Sequence, residues 1–203
     1  MATKVARAGI KAAPGLDLTY APDSCEVEFI SYRGGLVEAV LWLGDAVTAA
    51  RRATVLPEGA SIFGEPDAGM TPVGGVGRYL FDLDAAVGRA SLVDVLAPTI
   101  EAWRLGERTA YLSGDAPGTS PFARRFRVLE SFPFAERRLR DVVQSQGASR
   151  VEVMRRASPV DTNALERRLN ASLSGDGPVL TVALTRVEGA HTAIVCVRER
   201  DGS

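Results

Sequence analysis

Apolar and polar residues alternate with period two over residues 26–32 (EVEFISY), which predicts a strand with Val27 and Phe29 on one face and acids on the other. Arg33-Gly34-Gly35 then predicts a turn, because glycine reaches positive φ at little steric cost. Residues 36–43 (LVEAVLWL) run back, so 26–43 reads as a β-hairpin, and 50–56 (ARRATVL) reads as a third strand. Residues 57–77 are dense in glycine and proline and predict a boundary. Beyond it the period lengthens. Val87, Ala90, Val93 and Ala97 recur every three to four residues, which predicts a helix over 82–104 capped by Asp82 or Asp84 and kinked or split at Pro98. Residues 109–112 predict a short strand, followed by a second Gly/Pro-rich loop that ends at Pro121.

The last eighty residues carry the clearest pattern. Residues 126–131 read as a strand, and 134–146 as a helix that turns Phe134, Leu139, Val142 and Val143 inward and stops at Gly147. Residues 150–155 alternate again; Asp161 caps a helix over 162–172 buried through Leu165, Leu169 and Leu173. Residues 179–187 and 192–198 close the chain as a hairpin around Glu188-Gly189. The order βαβαββ predicts an α/β (α+β) module with a sheet backed by two helices. The chain divides into 1–75 with the hairpin, a helical connecting segment 76–122, and the module 123–200.

At 203 residues and 46% apolar, the chain belongs with ordinary globular proteins and not with disordered ones. Its charge is uneven. Residues 1–100 carry 8 Lys/Arg against 12 Asp/Glu, whereas 121–170 carry 11 cations, all arginine, against 6 acids. Cys25 and Cys196 lie too far apart for a disulfide framework or metal spacing and read as small buried hydrophobes. No stretch reaches the roughly 18–20 apolar residues of a membrane helix, and the N-terminus lacks a secretory apolar run. A reduced cytoplasm is the expected setting, with a transit peptide as the alternative for the acid-free first fifteen residues.

Candidate chemistry is sparse. The single histidine, His191, falls at the mouth of the last hairpin with no nucleophile elbow in the chain, and no cluster has metal-ligand spacing. Gly74-Gly75-Val76-Gly77 follows a loop and lacks the third glycine of a dinucleotide fingerprint, so it reads as loop more than as phosphate cradle. Arg78, Tyr79, Asp82 and Asp84 form a polar cluster, for which helix capping competes with binding of a ligand hydroxyl or ammonium. Among the arginines, Arg124, Arg125, Arg155 and Arg156 are the candidate phosphate contacts, since guanidinium binds phosphate in a fork and stacks on bases. Glu136 with Arg140 reads as an intrahelical pair on a solvated face.

Several phrases in fixed order carry a resemblance. Residues 11–17 (KAAPGLD), 35–44 (GLVEAVLWLG) and 51–56 (RRATVL) resemble the end of the catalytic domain in a family of class I S-adenosylmethionine-dependent methyltransferases that carry a THUMP-like domain at the C-terminus. Residues 77–80 (GRYL), 110–115 (AYLSGD), 127–130 (RVLE) with Pro133-Phe134, and 184–186 (LTR) continue it. The resemblance begins near the fifth strand of that catalytic fold. It therefore implies that 26–43 is the sixth and seventh strands, an antiparallel pair at the sheet edge. It also implies that the cofactor-binding and catalytic residues belong to a portion with no counterpart here. The chain departs from the family at Phe81-Asp82-Leu83-Asp84, where an acid and a proline are expected, and at Met154-Arg155-Arg156-Ala157, where a glycine is lost.

The resulting expectation is the RNA-positioning portion of a methyltransferase, inactive alone, binding no cofactor itself although S-adenosylmethionine serves the full-length family. The rival is a non-catalytic interaction domain, a homodimer formed through 26–43. A small-ligand enzyme built on Arg78, Tyr79, Asp82 and Asp84 is the third reading.

Overall fold

A computed structural model describes residues 6–106, 109–156 and 158–199. The chain forms two compact units, each assembled from separated stretches. Unit 1 comprises residues 1–71, 83–99 and 120–123; unit 2 comprises 72–82, 100–119 and 124–203. Residues 76–122 are thus shared between the two.

Unit 1 is built on a five-stranded sheet of β1 (Arg7–Ala12), β2 (Glu26–Tyr32), β3 (Gly35–Gly44), β4 (Arg51–Leu56) and β5 (Ala60–Gly64), in the order β1-β3-β2-β4-β5. The 26–43 hairpin forms as the alternation predicts, with Tyr32 opposite Gly35 across a two-residue turn. Arg33 and Gly34 both take positive φ (52° and 83°), the combination a tight hairpin turn needs. The hairpin does not lie at an edge. β1 pairs antiparallel with β3, and β4 pairs parallel with β2. Its apolar face is covered within the unit, because α1 (Ala85–Ala90) packs on β2, β3 and β4 through Ala86, Val87 and Ala90. Val27, Phe29, Ala39 and Ala53 are fully buried beneath it. The chain's own helix thus supplies the cover for the hairpin's apolar face. Within the 57–77 boundary stretch β5 is a strand the sequence did not predict: it pairs with β4 although glycine and proline dominate its flanks.

The long helix expected over 82–104 is also replaced. β6 (Tyr79–Leu83) is a strand, then come α1, α2 (Val93–Leu96), a 3-10 turn over Ala97–Ile100 and β7 (Ala102–Arg104). Val87, Ala90, Val93 and Ala97 are all buried, so the period was genuine. The chain breaks it at Ser91, which enters the left-handed region at φ 56° and ends α1, and tightens it to a 3-10 turn around Pro98.

Unit 2 carries the seven-stranded sheet. β8 (Tyr111–Gly114), β9 (Ala123–Pro133), β10 (Arg150–Arg155), β11 (Val179–Val187) and β12 (Ala190–Arg198) join β6 and β7 in the order β10-β11-β12-β9-β6-β8-β7. With α3 (Glu136–Ser145) and α4 (Thr162–Asn170), residues 123–198 follow the expected βαβαββ order. Leu139, Val143, Leu165 and Leu169 pack against Val151, Leu180, Val182 and Val195 on the helix-covered face. Asp161 caps α4 by accepting from Ala164 N at 3.1 Å, and Gly147 follows α3 at φ 63°. The other face closes on a second core of Leu80, Leu105, Tyr111, Phe126, Ala183, Ile194 and Cys196. Segments distant in the strand order meet there: Glu188 N donates to Leu105 O at 3.0 Å, and the Thr109 and Thr185 hydroxyls lie 3.2 Å apart. The fold is a mixed α/β one in which sheet predominates.

Candidate functional site

A polar grouping in unit 2 gathers around Asp82. Tyr79–Leu83 pairs antiparallel with β8, and Asp82 stands opposite Tyr111, so the two side chains share a face of the sheet. Asp82 is 3% exposed. Burying a carboxylate requires compensating cations or donors, and two arginines provide it. Arg124, at the start of β9, bonds Asp82 Oδ2, and Arg156, just beyond β10, donates to Asp82 Oδ1 at 3.1 Å. The Arg156 guanidinium also lies 6.0 Å from the Tyr111 ring centroid. Burial pushes the Tyr111 hydroxyl well above its ordinary pKa, with the Asp82 charge adding to the effect, so the phenol stays protonated.

The four candidate arginines are used differently. Arg124 and Arg156 meet on Asp82. Arg155 donates to Val160 O at 2.7 Å and Ser158 O at 3.4 Å and remains exposed. Arg125 is the least available: its side chain is 12% exposed, it donates to Pro117 O at 2.8 Å, and it pairs with Glu199 at 3.2 Å. It ties the 115–120 loop to the end of β12, and its donors point into the protein.

The cluster Arg78, Tyr79, Asp82 and Asp84 does not assemble as one site. Asp84 belongs to unit 1, where its side chain caps α1 by accepting from Ala86 N at 2.8 Å. In unit 2 the Arg78 backbone N donates to Asp115 Oδ1 at 3.1 Å, and Tyr79 O accepts from Ser113 Oγ at 2.7 Å. The glycine run is explained by an indole. A Cβ on Gly74 would come within 2.9 Å of the Trp103 ring, one on Gly77 would come within 2.8 Å of Gly114 O, and Trp103 Nε1 donates to Gly75 O at 2.7 Å. Gly74 and Gly77 therefore make room for a tryptophan, not for a phosphate. Sequence reasoning had no signal linking 74–77 to Trp103, since the two lie on separate segments.

His191 is not an exposed turn residue. It lies in β12, its ring 4.9 Å from that of Phe134, with Nε2 at 2.9 Å from Ser158 Oγ. Among the described residues no carboxylate orients this imidazole as a triad would require, and no group of three metal-ligating side chains occurs. Cys25 and Cys196 are buried free thiols, and burial raises both pKa values. No helix of the described residues is long and apolar enough to cross a membrane. Ala157 and the first five residues lie outside the described residues.

Residues 123–198 match the family described as THUMP domain-like. Two curated proteins from strains of Mycobacterium tuberculosis, both described as S-adenosylmethionine-dependent methyltransferases, are 39% identical over 198 residues, covering 92% of this chain and 53% of theirs. A crystal structure of a protein described as a methyltransferase from Porphyromonas gingivalis matches at a TM-score of 0.71 and 15% identity, covering 96% of this chain and 52% of that one. At that identity the likeness bears on fold alone. The glycine run 74–77, filled by Trp103, does not fit S-adenosylmethionine, so no step through the cofactor follows from it. The chain thus carries, over residues 123–198, a match to the THUMP domain-like family, and it spans about half the length of the S-adenosylmethionine-dependent methyltransferases it resembles.

Proposed function

We propose that this chain positions RNA for a methyltransferase and supplies no chemistry of its own. The observation that carries the reading is the pair Arg124 and Arg156, half-exposed (55% and 40%) on a unit that contains a THUMP-like domain. Arg155, exposed and next to Arg156 in sequence, is the third phosphate contact. Guanidinium groups are suited to this role because they stay charged and present donors in a planar fork. S-adenosylmethionine would serve the whole methyltransferase, and two buried free thiols suit a reducing cytoplasm.

Equilibrium binding of the purified chain to structured RNA at about 50 and 200 mM salt tests this. Three phosphate contacts give a log–log slope of about −2.7, so affinity should fall about fortyfold across that range. Arg124→Ala, Arg155→Ala and Arg156→Ala combined should flatten the slope. Absence of binding at the lower salt would overturn the proposal.

A further inference from the structure

Asp82 is an odd residue to find beneath a phosphate-binding surface. A carboxylate among cations opposes an incoming anion by simple Coulomb repulsion, yet this one is 3% exposed and both its oxygens are occupied by arginines. The two guanidiniums reach it from β9 and from the residue after β10, strands that lie three apart in the sheet order. Asp82 is the group that brings them together. Each guanidinium carries five N–H donors. Among the described residues, the side chains of Arg124 and Arg156 make no hydrogen bond other than those to Asp82. Most donors of both therefore remain for a ligand, and two cations against one anion leave the cluster one positive charge in surplus.

We infer that Asp82 is a positioning residue that holds Arg124 and Arg156 as a two-guanidinium fork for a single backbone phosphate of RNA. This inference rests on the RNA reading above and adds to it a residue that never touches the ligand. Free arginine side chains lose rotamer freedom when they close on an anion, and that loss weakens binding. Asp82 imposes that order beforehand, so the phosphate meets two guanidiniums already side by side. The Arg156 guanidinium also lies 6.0 Å from the Tyr111 ring centroid, at the edge of cation–π reach.

Charge and preorganisation predict opposite signs for one substitution. If Asp82 acts only through its charge, Asp82→Asn makes the patch more positive and tightens RNA binding. If it positions the arginines, Asp82→Asn releases them and weakens binding by about tenfold, the loss expected for two side chains set free.

The experiment is fluorescence-polarisation binding of a structured RNA to wild type, Asp82→Asn, and the double variant Arg124→Lys with Arg156→Lys, each with its melting temperature. The double variant keeps both charges but loses the planar fork, and both side chains are partly exposed, so it reports even where Asp82→Asn fails to fold. The expected result is wild-type binding with about tenfold weaker binding in both variants, and competition by RNA but not by millimolar inorganic phosphate at matched ionic strength. Binding of Asp82→Asn as tight as wild type or tighter overturns the positioning role while leaving the RNA reading intact; unchanged binding of the lysine variant does the same. Wild type that binds inorganic phosphate but not RNA overturns the RNA reading and its ligand with it.

Discussion

Each unit buries carboxylates, and the two differ in what those carboxylates hold. In unit 1, Glu26 is fully buried. It accepts from Thr48 N at 2.7 Å, Thr48 Oγ1 at 2.9 Å and Ala49 N at 3.2 Å, and it pairs with Arg52 Nε at 2.6 Å. Asp94, only half-buried, accepts from Ala68, Met70 and Thr71 backbone N–H groups at 2.9–3.0 Å. These acids tie loops to the sheet and to α2. In unit 2, the partners of Asp82 are long cationic side chains that reach solvent. A buried acid bonded to backbone N–H groups stabilises its own loop; one bonded to half-exposed arginines sets the arrangement of a surface.

That contrast can be broken most forcefully at Glu26. Glu26→Ala leaves two backbone donors and the Arg52 guanidinium without their buried acceptor and should cost about 3 kcal/mol of stability in chemical denaturation, with RNA affinity unchanged. Asp94→Ala should cost less, about 2 kcal/mol, because several of its donors can turn to water instead. Acid tests the same pair. Burial alone would raise both pKa values, but the hydrogen bonds from Thr48 and Ala49 with the Arg52 charge hold Glu26 below its ordinary value. Those from Thr71, Met70 and Ala68 hold Asp94 far below its own. A carboxylate depressed in the folded state contributes stability above its unfolded pKa, and loses it as pH falls through the folded value. Melting temperature should therefore decline once pH drops below about 4, less steeply in Asp94→Ala than in wild type. The smallest effect belongs to the exposed pair of Lys11 and Glu38, 2.7 Å apart with Lys11 77% exposed: Lys11→Ala should change stability by about 0.5 kcal/mol at most.

Local patterns showed much of the fold in advance. The 26–43 and 179–198 hairpins, with their Arg33-Gly34 and Glu188-Gly189 turns, and the helices after residues 135 and 161 all follow from short-range periodicity and turn chemistry. Periodicity could not show that Glu26 and Glu28, on the polar side of an alternating strand, would be buried. Glu28 bonds Trp42 Nε1 at 2.8 Å and Thr54 Oγ1 at 2.5 Å, both contributed by neighbouring strands. Nor could it show β5 or β7, whose five and three residues carry too little pattern. The arginines were visible as candidates, but the difference between Arg124, displayed on Asp82, and Arg125, tied to Pro117 and Glu199, was not.

The sequence by itself determined the βαβαββ order of residues 123–198, the faces of α3 and α4, and the arginine bias of that half, because these depend on residues within a turn or two of each other. Tertiary structure alone decided that residues 79–83 are a strand, that the glycine run encloses Trp103, and that Asp82 joins Arg124 to Arg156 across 42 and 74 residues. Those outcomes depend on which strands become neighbours, and strand pairing over such separations is set by the whole core and not by any local period.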